Sequence, residues 1–183
     1  MIKVKITNKR AGKAYRKAAT ELRRNILKAT ELAGRYIKAK VQEVFMAQGP
    51  GWAPLNPEYV KWKARSGFDT RILFRHYRLF QAINFERLSF DSGHVGIADG
   101  KYTGIAREVS PWRRGEFKRL SKSVMRLREE RMTFVDVARI HEYGGGRTPP
   151  RPFFKPVFEN EKEKIVQFYM DAVTEALAPY RPL

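Results

Sequence analysis

The longest hydrophobic pattern in the chain predicts a helix near its start. Residues 13–46 contain no proline and one glycine, and apolar residues recur every three to four positions. At 100° per residue these positions fall within an arc of roughly 100°, as in an amphipathic helix. Such a helix would be about 50 Å long, so part of it is expected to project or to pack on another subunit. Its apolar face comprises Tyr15, Ala18, Ala19, Leu22, Ile26, Ala29, Ala33, Tyr36, Ile37 and Val44.

Shorter patterns predict a small sheet and further helices. Apolar residues at 2, 4 and 6 alternate with lysines, which is typical of a short edge strand or an extended arm. Thr133, followed by Asp136, has the spacing of a capping box, and Gly144 would end that helix. The other predicted elements are helices at 57–65 and 70–80, antiparallel strands at 82–90 and 94–97, and a last helix at 157–177 that buries Phe158.

This order of elements indicates an α+β fold. A long N-terminal helix precedes a small antiparallel sheet, and a C-terminal helix is expected to pack on that sheet. With 183 residues, the chain has the size of one domain, spanning 1–183. Residues 103–132 depart from the pattern, because nine Lys or Arg accompany four acidic residues and few large aliphatic ones. We interpret this stretch as a basic insertion or flexible arm.

Charge narrows the classes of partner. The chain has 37 Lys and Arg against 19 Asp and Glu, a net charge of +18, and residues 1–46 carry +10 of it. On the long helix the cations share an arc of about 140°, opposite the apolar face. The cationic face either keeps the helix soluble, binds an anionic surface or associates with a membrane. The candidate contacts with a partner or with DNA are Arg16, Arg23, Arg24, Lys28, Arg35, Trp112, Arg113 and Arg114.

The stretch around Trp112 leaves two interpretations open. Aromatic residues among arginines can stack on bases and bind phosphates, or the stretch can be a partner loop that becomes ordered on assembly. Neither the start of the chain nor any other window shows a secretory signal or an apolar span of membrane length, so we expect cytoplasmic synthesis and no membrane partner.

Residues with the usual spacing of catalytic or metal sites are scarce. The chain has no cysteine, which excludes disulfides, thiolate zinc sites and cysteine nucleophiles. His141-Glu142 lacks the second histidine of a zinc-binding helix, so we assign His141 an orienting hydrogen bond or an interface role. The Gly144-Gly-Gly-Arg147 turn lacks the context of a phosphate-binding loop. We therefore expect a protein that is not an enzyme and has no catalytic, cofactor-binding or metal-binding residues.

The order of several short motifs over residues 20–177 resembles the virion morphogenesis, or tail-completion, proteins of tailed bacteriophages. The first motif, Gly51-Trp-Ala-Pro-Leu55, follows the long helix, and two more, Ala138-Arg-Ile-His-Glu-Tyr-Gly144 and Pro150-Arg-Pro-Phe-Phe154, precede the last helix. Four shorter motifs lie between the first motif and the other two: Ile72-Leu73, Arg78-Leu79, Ala82-Ile83 and Val95-Gly96.

The resemblance implies a structural virion protein of the neck, a tail terminator or head-tail connector that completes the tail and joins it to the head. Its subunits would form a homo-oligomeric ring, of six copies in preference to twelve, between tail-tube and head-connector proteins and in transient contact with genomic DNA. The protein would be made in the cytoplasm of the bacterial host and reside in the virion. The alternative is a basic nucleic-acid-binding protein.

The residues that carry the resemblance are expected to be structural. They are Trp52, His141, Gly144, Arg151, Phe153 and Phe154. We predict that residues 149–154 form a rigid brace, with Phe153 or Phe154 buried and Arg151 hydrogen-bonded near the Gly144 turn.

Overall fold

The part of the chain that the structure describes folds into helices and one small sheet, as the α+β prediction requires. The computed structural model describes residues 9–75, 77–98, 133–146 and 148–180. The predicted strand at 2–6 and the insertion at 103–132 lie outside these residues. Strands β1 (Ile83–Arg87) and β2 (Gly93–Ile97) form a two-stranded antiparallel sheet, and the main-chain N–H groups of Leu88 and Ser89 both donate to the Ser92 carbonyl in the turn between them.

The helices precede and follow this hairpin. The elements are α1 (Lys9–Met46), α2 (Pro57–Arg65), α3 (Arg78–Ala82), α4 (Phe134–Tyr143), α5 (Lys155–Asn160), α6 (Lys162–Leu177) and a 3-10 turn at Ala178–Tyr180. No helix within the described ranges has both the length and the apolar character needed to cross a membrane.

Helix α1 confirms the main prediction from the sequence and begins four residues earlier than expected. Its buried positions recur every four residues from Ala29 through Ala33, Ile37 and Val41 to Phe45. The predicted apolar face continues toward the N-terminus, but there it is uncovered: Tyr15 is 70% exposed and Ala19 is also exposed. Only the C-terminal half of this face is therefore buried among the described residues.

The structure divides into two compact units. The first contains the described residues of Met1–Ile37, Phe85–His94 and Asn160–Leu183. Here α6 contacts α1 through the rings of Tyr36 and Phe168, 5.5 Å apart, and through the Tyr169 hydroxyl, which donates to Thr30 Oγ1. The Phe85 ring lies against α1 at Gly34, where a Cβ would come within 2.1 Å of it. A glycine is therefore needed for this close approach.

The second unit contains the described residues of Lys38–Asn84 and Val95–Glu159, and its core surrounds Phe45. This ring is fully buried and lies edge-on to Phe153 at 4.7 Å, to Trp52 at 6.0 Å and to Phe74 and Phe80 at 6.1 Å. Edge-to-face arrangements at these distances are favourable for aromatic rings. The cluster joins side chains from α1, the loops after α1 and α2, α3 and the segment before α5.

Two predicted helices differ from the structure. Of the predicted 70–80 helix only the last three residues are helical, because α3 begins at Arg78. The described residues 66–75 and Tyr77 precede α3 outside any helix, and Leu73 and Tyr77 have positive φ angles of 63° and 58°. The last predicted helix is divided into α5 and α6, and Phe158 is 41% exposed instead of buried. The capping box is confirmed, since the Thr133 side chain accepts from Asp136 N–H and the Asp136 carboxylate accepts from Thr133 N–H.

Candidate functional site

The cations of α1 form an exposed surface, which we call the basic face and define as Arg16, Arg23, Arg24, Lys28 and Arg35. All five side chains are exposed, and the residues span about 28 Å of helix. Two of the five form exposed ion pairs with glutamates of the same helix. Arg24 Nη2 lies 2.6 Å from Glu21 Oε2, and Arg35 Nη2 lies 4.0 Å from Glu31 Oε2. Exposed ion pairs of this kind contribute at most about 1 kcal/mol, so the cations remain available to an anionic partner.

Arg23 has an additional contact that fixes its direction. Its guanidinium lies 4.8 Å from the centre of the Phe90 ring, in the turn of the hairpin. A guanidinium over an aromatic face keeps its outward N–H groups free to donate to phosphate or carboxylate oxygens. The other predicted contacts, Trp112, Arg113 and Arg114, lie outside the described residues.

Two of the motifs behind the resemblance contact each other, although they are about 100 residues apart. Trp52 Nε1 donates to the Pro152 carbonyl at 3.0 Å, and Arg151 donates from Nε and Nη2 to the Ala53 carbonyl at 3.2 and 3.1 Å. The Arg151 side chain is thus directed to the first motif, away from the predicted Gly144 turn. Its main-chain N–H does reach the end of α4, donating to the His141 carbonyl at 2.6 Å.

The remaining motif residues surround this contact. Phe153 is fully buried while Phe154 is half-buried, as the brace prediction allowed. Gly144 has φ of 81°, and a Cβ there would come within 3.3 Å of the Pro150 ring. The turn after α4 therefore needs glycine to let the chain return along the helix end.

For His141 we expected an orienting hydrogen bond or an interface role, and the structure describes the surroundings of one of its ring nitrogens. Its Nδ1 atom is buried and finds no hydrogen-bond partner in the described part of the chain. Burial, assisted by the nearby Arg151 charge, lowers the pKa of His141 from 6.5 to about 4. The lowered pKa favours the neutral imidazole at pH 7.

The next residue, Glu142, has an orienting role that sequence reasoning missed. Its buried carboxylate accepts main-chain N–H groups from Phe153 at 2.9 Å and Phe154 at 3.1 Å through Oε2, and from Lys155 at 2.8 Å through Oε1. A carboxylate at the start of a helix satisfies N–H groups that lack partners within the helix. One available signal was its position four residues after the buried Ala138 of an amphipathic helix.

Lys63 is a second buried charge that the sequence did not reveal. Its side chain is 2% exposed, and Nζ donates to the carbonyls of Arg71 and Phe74, both at 2.7 Å. Burial lowers the pKa of Lys63 from 10.5 to about 8, with the Asp69 charge acting against this shift and Arg75 and Arg71 adding to it. The ammonium group holds the loop after α2 in its folded path.

The same loop contains a polar cluster at its surface. Asp69 accepts from Arg71 Nη2 at 2.7 Å and from the Tyr77 hydroxyl at 2.6 Å. The hydrogen bonds from Arg71, more than any other contact, hold the pKa of Asp69 well below its usual range. These groups satisfy one another, and within the described ranges no group of three or more His, Asp or Glu side chains is placed to hold a metal ion.

Comparison with known proteins adds no relative: no family model, no curated protein and no solved structure matches the chain.

Proposed function

We propose that the protein is a structural subunit of the neck of a tailed bacteriophage, which completes the tail and joins it to the head. The observation that carries the proposal is the ordered series of motifs from Trp52 to Phe154. The direct contact between the first and last of these motifs supports it, because Trp52 donates to Pro152 and Arg151 to Ala53. Residues that resemble a family signature thus serve one packed core, as expected of a structural role.

The subunits act as a ring, of six copies in preference to twelve, between tail-tube and head-connector proteins. A chain of this size encloses a channel for DNA only by repetition around an axis. The uncovered N-terminal half of α1 supports such repetition, because an apolar helix face with Tyr15 70% exposed offers a contact for another subunit. The work of the protein is assembly, without a catalytic step.

A mutant phage that lacks the gene tests this function. We expect DNA-filled heads and tails that fail to join, or tails with faulty ends, in electron micrographs of the lysate. A plasmid that supplies the intact protein restores joined particles. Particles that mature normally without the protein would refute the neck assignment.

The alternative function is that of a basic nucleic-acid-binding protein, and the exposed basic face favours it. Affinity for duplex DNA that falls steeply with salt is expected of any chain with a net charge of +18 and does not separate the two functions. The position of the charged residues on the molecule does separate the two functions. In the neck assignment, the basic face contacts passing DNA or an acidic partner surface.

Charge reversal at matched positions tests that contact. The triple variant Arg23→Glu, Lys28→Glu and Arg35→Glu is compared with Lys61→Glu, Arg65→Glu and Arg139→Glu, which changes three exposed cations of the second unit and the net charge equally. We expect the first variant to lower the yield of joined particles and the control to retain it. Both variants should stay folded, since exposed charges contribute at most about 1 kcal/mol each. Equal yields of joined particles from the two variants would indicate that the basic face serves only to keep the protein soluble.

A further inference from the structure

We infer that the basic face binds the phosphate backbone of duplex DNA, with Lys13 and Lys17 extending the contact toward the N-terminus of α1. The inference rests on the proposed function, which supplies the source of the DNA: the genome that passes through the neck. It names the partner of this surface, which the proposed function leaves open. The residues that carry it belong to the first compact unit.

The cationic side of α1 lacks exposed apolar side chains. Between residues 13 and 35, eleven positions lie in the arc of about 140° that the cations span. Seven of them are exposed Lys or Arg, and the other four are Thr20, Leu27, Glu31 and Gly34. Leu27 is half-buried and Gly34 is buried. The nearest exposed apolar residues lie about 40° outside the arc and are Ala14, Ala19 and Leu32.

The glutamates at this surface leave it strongly cationic. Glu21 lies about 20° outside the arc and is paired with Arg24, 2.6 Å away. Glu31 lies between two arginines, 4.0 Å from Arg35 Nη2 and 3.2 Å from Nη1 of Arg87, which belongs to β1. Eight cations, the seven of α1 and Arg87, therefore accompany two carboxylates and leave a local charge of +6.

The hairpin beside this surface changes the charge little and adds no apolar anchor. Asp91, in the turn, is exposed and accepts from the Ser89 hydroxyl, which lowers the local charge to +5. Leu88 is 68% exposed. Because side chains alternate along a strand, Leu88 lies on the opposite side of the hairpin from Phe85 and Arg87, which contact α1.

This composition favours duplex DNA over three other anionic partners. Protein interfaces take most of their energy from apolar and aromatic anchors, which the arc lacks. A membrane-bound helix inserts its apolar face into the lipid, whereas that face of α1 is buried in the fold from Ala29 onward. Single strands are held by rings that stack on bases, and α1 has no aromatic residue in the arc. A duplex presents regular phosphates, for which cations suffice.

The spacing of the cations suits the two edges of the major groove. One row has steps of seven, four and seven residues, about 10.5, 6 and 10.5 Å along the helix, and consists of Lys17, Arg24, Lys28 and Arg35. The major groove is about 12 Å wide, so cations one long step apart reach phosphates on both of its edges. Beside this row, Phe90 fixes the direction of the Arg23 guanidinium. Backbone contacts carry no sequence information, as a surface that meets every part of a genome requires.

The salt dependence of binding to a labelled 20-base-pair duplex tests the position of the contact. Lys17→Gln, Lys28→Gln and Arg35→Gln are combined in one variant, and Lys61→Gln, Arg65→Gln and Arg139→Gln in a control with the same net charge. All six side chains are exposed, and the control residues belong to the second unit. Fluorescence anisotropy gives the affinity, and circular dichroism verifies that both variants are folded.

The slope of log affinity against log salt concentration separates the outcomes. We expect it to become shallower by about 2.7 in the first variant, because each lost phosphate contact removes about 0.9. In the control the change should stay below about 0.9, the equivalent of one contact. Equal changes in the two variants would show that net charge alone acts and would overturn the inference.

Photochemical cross-linking in particles identifies the partner. Thr20→Cys places one cysteine at the centre of the exposed arc, since the natural chain has none, and a benzophenone maleimide is attached to it. We expect irradiation to give an adduct with the phage genome that deoxyribonuclease removes. Ser66→Cys, exposed at the end of α2, is the matched control and should give no such adduct.

The other results of this experiment oppose the inference. Adducts of Thr20→Cys with a virion protein alone would assign the basic face to an acidic protein, and adducts that ribonuclease removes would assign it to RNA. The absence of any adduct would also overturn the contact. These results leave the neck assignment standing if particles still require the protein. Particles that mature without it refute the neck assignment, whereas the difference in salt slope would remain.

Discussion

Replacing Glu142 by glutamine tests whether one buried carboxylate holds the last motif in place. The two carboxylate oxygens accept three main-chain N–H groups, from Phe153, Phe154 and Lys155. Glutamine keeps the shape and supplies one acceptor oxygen. Its NH₂ group must then face at least one N–H donor, which leaves that donor without a partner.

The expected cost follows from these three bonds. Loss of one hydrogen bond to a charged group costs about 1.5–3 kcal/mol. The two bonds that remain become neutral, and charge-assisted bonds are roughly twice as strong as neutral ones. We therefore expect Glu142→Gln to lower the free energy of unfolding by about 3 kcal/mol, a large fraction of the 5–15 kcal/mol typical of a folded protein.

Urea unfolding followed by tryptophan fluorescence measures this cost, because Trp52 is buried beside Phe45 in the same core. With a slope of about 2 kcal/mol/M, the midpoint should fall by about 1.5 M. The control is Glu159→Gln on α5, whose exposed carboxylate lies 3.8 Å from Lys155 Nζ. Its effect should stay below about 1 kcal/mol.

Hydrogen exchange adds a local measurement. The amide protons of residues 153–155 should exchange faster in Glu142→Gln than in the natural protein, since their acceptor is weakened. If the variant and the control shift the midpoint equally, and the three amides keep their protection, the carboxylate does not hold this segment.

Three further predictions concern stability. Phe153→Ala should cost about 3–5 kcal/mol in urea unfolding and Phe154→Ala clearly less, because of these two rings only Phe153 is fully buried. The brace would be refuted if both variants left the melting temperature unchanged. The pKa of Lys63 falls from 10.5 to about 8 on folding, so between these values the unfolded chain binds more protons and stability should rise with pH. The gain in the free energy of unfolding from pH 7 to pH 9 is on the order of 1 kcal/mol and should be absent in Lys63→Met; equal pH profiles of the two proteins would contradict it. Gly34→Ala should lower the melting temperature by the equivalent of about 1–3 kcal/mol, because its Cβ would overlap the Phe85 ring, and Phe85→Leu should relieve the loss.

Local signals in the sequence predicted local structure well. The bounds of α2 match the predicted 57–65, and the capping box correctly placed the start of α4 after Thr133. In both cases a helix cap lies within three residues of the group it satisfies. The amphipathic pattern of α1 was equally readable, but a pattern shows only that a face is apolar. It does not show what covers it, and Tyr15 is exposed.

Features that depend on residues far apart in the chain could not be predicted from the sequence. The 70–80 segment has the apolar content of a helix, yet its path is set by Lys63, which donates to two of its carbonyls from another element. The role of Glu142 depends on three N–H groups that lie eleven to thirteen residues later in the chain. Arg151 likewise contacts Ala53, 98 residues away.

The contact between the motifs around Trp52 and Phe153 also has a consequence for the order of events during synthesis. Phe45 and its nearest ring, Phe153, are separated by more than 100 residues, which take about 5–20 s to translate. During that time Phe45, Trp52 and Phe74 of the growing chain lack the Phe153 side chain that completes their core. The second unit therefore folds late, after nearly the whole chain exists, and its large sequence separations favour slow folding. A nonsense mutation before residue 150 should therefore yield insoluble fragments in place of a soluble shortened chain.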